Sequence, residues 1–213
     1  MPGLTCQTLP RMRWAQIEPN NLLAWLPEWR DTEGLTDTQW HGVAASRYVR
    51  NYQNEFKARL LALLAKTPPG LELEMGLELV TSSSLFGSGP SAFTLHWECT
   101  KPDAAGRYRN ACLHAANLFW NAPQTSMTDR LMALSLIEEL NALGDADWAQ
   151  RFADLKALSP EMQVALGQAE SEPKEWRKAG CDKLQMRRQR LLDITEGGSW
   201  KAAKTLLAKG AAR

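Results

Sequence analysis

Cysteine and histidine are scarce in this chain, and neither type is clustered. The sequence has no CxxC pair, and its histidines stand apart from one another. A structural zinc site needs four such ligands at short spacings, so we expect no metal centre and no cofactor. The wide spacing of the cysteines also favours reduced thiols in an intracellular protein. The residues concerned are Cys6, Cys99, Cys112 and Cys181, with His41, His96 and His114.

Long apolar stretches are also missing. No stretch approaches the ~18 apolar residues that a membrane-spanning helix requires. The N-terminal residues include no apolar run of the length found in signal peptides. We therefore expect a soluble, cytoplasmic protein that has no membrane partner.

Motifs for nucleotide binding and nucleophilic catalysis are not visible. Residues 82–91 contain the sequence GSG, but neither GxxxxGK[ST] nor GxGxxG occurs in the chain. A phosphate-binding loop would precede a helix, whereas the alternation after residue 91 favours a strand, so we interpret this stretch as a hairpin loop. No pairing of a nucleophile with a base is apparent, and we lean against an enzyme.

The clearest pattern present is an alternation of apolar and polar residues. It extends over Leu71 to Val80, where glutamates separate the apolar side chains, and returns over Ala92 to Thr100. Alternation of this kind predicts half-buried strands, and the ten residues rich in Ser, Gly and Pro between them, 82–91, predict the loop of an antiparallel hairpin. The buried face of the hairpin would carry Leu73, Leu77, Leu95 and Trp97.

The rest of the chain favours helix. A long helix is predicted from Thr36, which has capping-box spacing to Gln39, to Lys66, and a central one is predicted to follow Ser126 and to end at Gly144. Local signals also predict a cap at Asn20 or Asn21 for a short helix through Leu26, a helix start at Ser159 and Pro160, and a break at Gly197 and Gly198 in the C-terminal helix. Residues 107–120 are ambiguous, and we favour a helix over a third strand. The predicted fold class is α+β and predominantly helical, with the 71–100 hairpin covered by helices. Leu134, Ile137 and Leu140 are predicted to be buried in the core.

The charge is distributed unevenly along the chain. Residues 1–170 carry 14 Lys and Arg against 19 Asp and Glu, whereas residues 171–213 carry 11 against 5. Polar punctuation near residue 170 also favours a boundary there. We predict a main α+β domain over 1–170 with an extended N-terminal arm, followed by a basic helical segment over 171–213.

Arginine recurs beside tyrosine, and a second group of arginines lies in the basic segment. Arginine offers phosphate a bidentate charged donor, and an aromatic ring can stack on a base, so this combination suits a sequence-tolerant nucleic-acid surface. Arginines on a long helix can equally solvate its outer face or pair with acids. The predicted phosphate contacts are Arg47, Arg50, Lys57, Arg107, Arg109, Arg187, Arg188, Arg190, Lys201 and Lys204.

Three functions are therefore considered. The first is a non-enzymatic accessory protein that binds DNA or RNA through a basic helix face and the basic C-terminal segment. The alternative is an adaptor or assembly subunit that binds another protein in a larger intracellular complex through tryptophans and amphipathic helices. The third and weakest is an enzyme whose site assembles from distant residues.

Overall fold

The computed structural model describes residues 11–26, 34–81, 92–142, 144–170 and 181–208. Within these ranges the chain forms helices, with one isolated bridge between Asn21 and Tyr48. Short 3₁₀ turns occupy Leu22–Ala24 and Leu64–Lys66. The α-helices are α1 Arg11–Ile17, α2 Asp37–Ala45, α3 Tyr52–Leu63, α4 Leu71–Thr81, α5 Ala92–Cys99, α6 Pro102–Arg107, α7 Arg109–Asn121, α8 Met127–Glu139, α9 Ala146–Lys156, α10 Pro160–Glu170 and α11 Cys181–Ala208.

The predicted α+β fold is wrong, because both predicted strands are helices. In α4, Leu73, Leu77 and Val80 are buried at positions i, i+4 and i+7. Leucine, glutamate and methionine are strong helix formers, and they make up most of α4. The β-branched residues that favour strands, Val80 and Thr81, occur only at its end. Helix propensity therefore outweighs the alternation. The predicted hairpin loop, Ser82 to Ser91, lies outside the described residues.

The predicted helix from Thr36 to Lys66 is interrupted between α2 and α3. Its start is correct, since Thr36 and Gln39 form the expected capping box. The break is held by Asn21, which is fully buried and bonds Arg50 twice. Asn21 Nδ2 donates to the Arg50 carbonyl at 3.0 Å, and Asn21 Oδ1 accepts from the Arg50 amide at 3.1 Å. A partner distant in sequence thus ends the helix.

Other helix ends follow local signals. Ser159 caps α10 through its Oγ, which accepts from the Met162 amide at 3.2 Å, as the Ser–Pro pair predicts. The central helix ends before Gly144, because Asn141 adopts a φ of 52°. The Ala142 amide then donates to Ile137 and the Asn141 amide to Glu138, which is a Schellman ending. Residues 11–17 are helical as well, although an extended arm was predicted there.

The chain packs into two compact units. Residues 1–50, 88–122 and 129–148 contribute to the first, and residues 51–87, 123–128 and 149–213 contribute to the second, so far as each range is described. The predicted boundary at residue 170 adjoins residues outside the described part, and it stays a prediction. No helix of the described ranges is long and apolar enough to cross a membrane.

The core of the first unit forms where α7 packs against α2 and α5. A disulfide joins Cys99 of α5 to Cys112 of α7, which corrects the prediction that these thiols are reduced. Residues 107–120 are helical, as favoured, since α7 covers most of them. The predicted burial of Leu134, Ile137 and Leu140 is confirmed.

In its described part the second unit has two clusters of buried apolar residues. Leu61 of α3 and Leu73, Leu77 and Val80 of α4 meet Leu184 and Leu191 of α11 in one cluster. In the other, alanines let α10 and the end of α11 approach closely: Ala165, Ala169, Ala202 and Ala203. The helix α11 is broken at Gly197 and Gly198, as the sequence predicts.

Gly198 is required at this break by both its conformation and its surroundings. Its φ is +69°, a region that residues with a Cβ atom rarely adopt. A Cβ there would also lie 2.6 Å from the carbonyl oxygen of Thr125. The break is therefore fixed by the backbone of the segment that precedes α8.

Candidate interaction surfaces

The three arginines predicted to bind phosphate in the C-terminal segment make contacts within the second unit. Arg187 is fully buried, and its Nη2 lies 2.7 Å from Oε1 of Glu78 in α4. Arg190 is also buried, and its Nε donates to the carbonyl of Gln168 at 2.9 Å. These two side chains connect α11 to two neighbouring helices.

Arg188 binds the chain just after α3. Its Nη1 donates to the carbonyls of Leu64, Ala65 and Thr67 at 3.3, 3.1 and 3.4 Å. The last carbonyls of a helix have no partner inside the helix, and a basic side chain also interacts favourably with that end of the helix dipole. Arg188 therefore acts as a cap supplied from another helix.

The remaining predicted basic residues divide between the two units. In the first unit Arg47 is exposed, Arg50 lies 4.0 Å from Glu18, and Arg109 donates to the Leu140 carbonyl at 2.8 Å. In the second unit burial lowers the pKa of Lys57, while a hydrogen bond to Glu196 raises the pKa of Lys201. Lys204 is exposed on α11. Their role in binding nucleic acid stays a prediction.

An aromatic and charged cluster in the first unit involves Arg107. Tyr108 stacks on Trp40 with ring centroids 4.7 Å apart, and the Arg107 guanidinium lies 5.1 Å from the centre of the Tyr108 ring. Both Tyr108 and Arg107 bond the carboxylate of Asp37. The hydrogen bond from Tyr108 is the main cause of a lowered pKa for Asp37, and the same bond raises the pKa of Tyr108. The Tyr108 ring thus already contacts Trp40 and Arg107 within the protein.

A histidine, a serine and a carboxylate meet between α5 and α8. His96 Nε2 lies 3.2 Å from Oγ of Ser135 and 3.1 Å from Oε1 of Glu139. A serine relay needs the serine on one ring nitrogen and the acid on the other. In this protein both groups contact the same nitrogen, Nε2. When Nε2 carries a proton and donates it to Glu139, it has no lone pair left to accept the proton of Ser135. This geometry does not activate Ser135 as a nucleophile.

Two aromatic side chains project from α5 into solvent. Phe93 and Trp97 are one helical turn apart and are 50% and 60% exposed. The prediction that Trp97 is buried is therefore wrong, because on a helix the buried positions are Leu95 and Cys99. The sequence signal for this surface is the i, i+4 spacing of the two aromatics, which the strand interpretation concealed.

The backbone that carries these aromatics is firmly held. Cys99 at the end of α5 forms the disulfide, and the neighbouring Glu98 is buried. Glu98 accepts from Lys101 Nζ at 2.7 Å and from the Leu35 amide at 3.2 Å. The exposed pair therefore belongs to a preorganised helix and does not require a loop to order on binding.

Comparison with family models, with curated proteins and with solved structures gives no match for this chain.

Proposed function

We propose that this protein is a non-enzymatic adaptor or assembly subunit, and that it binds another protein through Phe93 and Trp97 of α5. The exposed aromatic pair on a fixed helix is the observation that supports this function. Tryptophan is enriched among residues that dominate binding energy at protein interfaces, where it fills an apolar pocket of the partner. The partner expected here is a protein that offers such a pocket.

Purification from the native source tests the proposal. A Phe93→Asp/Trp97→Asp variant is compared with the wild-type protein and with Leu131→Asp, which places the same charge at another half-exposed apolar position of the first unit. One protein should accompany the wild type and the control in stoichiometric amount and be lost with the double variant. With that partner purified, the double variant should bind at least about tenfold more weakly.

Two results would contradict the adaptor function. In one, no protein accompanies the wild type in stoichiometric amount. In the other, the double variant retains the partner with the affinity of the Leu131→Asp control. Circular dichroism of each variant establishes beforehand that the helices are intact.

Nucleic-acid binding is the second candidate, and the exposed side chains of Arg47 and Lys204 favour it. Binding to phosphates releases counterions, so the affinity for a fluorescent oligonucleotide should fall steeply with salt. Arg47→Ala and Lys204→Ala should each reduce the log–log slope by about 1 if the side chain touches phosphate. Fluorescence anisotropy measures the binding. If it detects none at low salt, nucleic-acid binding is excluded.

We also propose that the protein is located in the cytoplasm, and the oxidation state of Cys99 and Cys112 provides the test. Disulfides persist in oxidising compartments and are rare in the cytosol, where thiols are kept reduced. Because both cysteines are buried in the folded protein, intact cells are quenched in acid, which traps the thiols, and the protein is then alkylated in denaturant; mass spectrometry should find both cysteines modified if the protein is cytoplasmic. A quantitatively retained disulfide would contradict that location.

A further inference from the structure

Two helices of the second unit carry apolar side chains on their solvent face. The side chains recur every turn or two turns along α3 and every turn along α4, so each series forms a stripe. Leu63, Leu71 and Met75 are the most exposed, at 78%, 72% and 65%. The full set is Tyr52, Phe56 and Leu63 on α3, with Leu71, Met75 and Leu79 on α4. We call this surface the α3–α4 face.

The two stripes point in the same direction. The opposite sides of both helices are buried, Leu61 on α3 and Leu73, Leu77 and Val80 on α4, and both pack against Leu184 and Leu191 of α11. Gly76 of α4 lies against the side chain of Leu64, which joins the helices side by side. Each exposed stripe therefore faces away from α11, and the two together form one apolar surface.

The charges on this surface are segregated by helix. The helix α3 and the 3₁₀ turn after it carry Lys57, Arg59 and Lys66 with one acid, Glu55. The helix α4 has three glutamates and no basic residue; Glu72 is exposed, Glu74 is half-buried, and Glu78 is already paired with Arg187 of α11. Arg59 is exposed and lies about 60° from Phe56 and about 40° from Leu63 around the helix axis, since successive residues are about 100° apart.

We infer that a second copy of this chain docks on the α3–α4 face, with α3 of each copy lying against α4 of the other across a two-fold axis. A two-fold interface is self-complementary, because a contact between two residues occurs twice. In this arrangement each basic helix meets an acidic one, and the apolar stripes cover each other. An arrangement that places α4 on α4 opposes glutamates only, and one that places α3 on α3 offers fewer opposite charges, since Glu55 is the one acid of that helix.

The size of the face sets the expected strength. Each helix is about 17 Å long and about 10 Å wide, so the two present a footprint of about 350 Å² per copy. Stable protein interfaces bury about 800 Å² of accessible surface per partner, and smaller ones belong to weak complexes. The dimer should therefore form at high protein concentration and dissociate on dilution.

Sedimentation velocity from about 5 to 500 μM tests for the dimer directly. The wild-type protein should change from monomer to dimer over this range, and Met75→Asp should weaken the association at least tenfold. Val164→Asp is the matched control, because Val164 is a half-exposed apolar residue on α10 of the same unit, and it should leave the association unchanged. A wild type that stays monomeric at 500 μM overturns the inference, as does an unchanged dimer in Met75→Asp.

A charge exchange tests which helices meet. Arg59→Glu and Glu72→Arg should each weaken self-association several-fold, because each opposes like charges twice. An equimolar mixture of the two variants should associate as tightly as the wild type, since in the mixed dimer both charge pairs are opposite again. No recovery in the mixture overturns the arrangement of α3 on α4. Both residues are exposed, and circular dichroism establishes that the variants are folded.

Discussion

The two units hold their helices together in different ways. The first uses a covalent link between helices close in sequence, since Cys99 and Cys112 are 13 residues apart, and it stacks Trp40 on Tyr108. The second uses contacts between segments more than 100 residues apart, such as Arg187 with Glu78. The comparison shows that the basic C-terminal segment completes an apolar core, and its arginines bond the carbonyls and carboxylate of the helices that it covers.

Truncation of a core side chain in the second unit should give the largest loss. Leu77→Ala should lower the free energy of unfolding by about 2–5 kcal/mol, because Leu77 is fully buried. Leu79→Ala is the matched control on the solvent face of the same helix, and it should cost less than about 1 kcal/mol. Urea denaturation measures both values. A strand would place these two leucines on one face, so equal losses would contradict the helix.

Loss of the disulfide should destabilise the first unit to a smaller extent. A disulfide that closes a loop of about 15 residues stabilises by about 3 kcal/mol, chiefly by restricting the unfolded chain. In a Cys99→Ser/Cys112→Ser variant, amide hydrogen exchange should accelerate in α5 and α7 and stay unchanged in α10 and α11. Equal acceleration in both units would remove the distinction between them.

Removal of one arginine cap should have a modest effect in the second unit. Arg188→Ala removes the donor that the carbonyls of Leu64, Ala65 and Thr67 share and should cost about 1–1.5 kcal/mol, since the Leu64 carbonyl alone keeps a second bond, from the Thr67 amide. Lys204→Ala removes an exposed cation from the same helix and should be close to neutral. Thermal unfolding compares the two variants. If both changes cost the same, the contacts of Arg188 contribute nothing to stability.

The smallest expected effect concerns the pH dependence of the first unit. The Tyr108 hydrogen bond lowers the pKa of Asp37, so its stabilising contribution is present above the unfolded value of about 3.9 and is lost as the pH falls through the lower folded value. Asp37→Asn should therefore flatten the melting temperature against pH below about pH 4. Carbon NMR titration of the Asp37 carboxyl would contradict this if the midpoint were not lowered.

Local signals predicted the ends of several elements correctly. The Thr36–Gln39 capping box, the Ser159 cap and the glycine break at 197–198 all lie where the sequence indicates. The sequence signal for each is contained in residues a few positions apart, so it can be recognised without knowledge of the fold. Of the two asparagines predicted to cap a short helix through Leu26, Asn21 is the cap, through a bond from the Leu23 amide to its Oδ1, and the helix is a 3₁₀ turn over Leu22–Ala24.

Two periodicities coincide in α4, and the strand prediction rests on the two-residue alternation, which is the wrong one. Leu73 and Leu77 satisfy an alternation of two residues and also a helical spacing of four. Composition separates the alternatives, because Val80 and Thr81 are the β-branched residues of the segment and both lie at its end. The same error placed Trp97 in the core and hid the exposed aromatic pair of α5.

Contacts between distant segments could not be predicted from the sequence. Four cysteines permit several pairings, and only the packing of α5 against α7 selects Cys99 with Cys112. The interruption after α2 depends on Asn21, almost 30 residues away. Charge counts likewise do not reveal that Arg187 is buried while Lys204 is exposed.

The shared cluster of α3, α4 and α11 has a consequence for synthesis on the ribosome. Leu73, Leu77 and Val80 bury against Leu184 and Leu191, which are translated about 100 residues later. At about 5–20 residues per second the wait is roughly 5–20 s. During that time α4 exposes apolar residues on two opposite sides, so the nascent chain is open to aggregation until α11 leaves the exit tunnel and covers one of them.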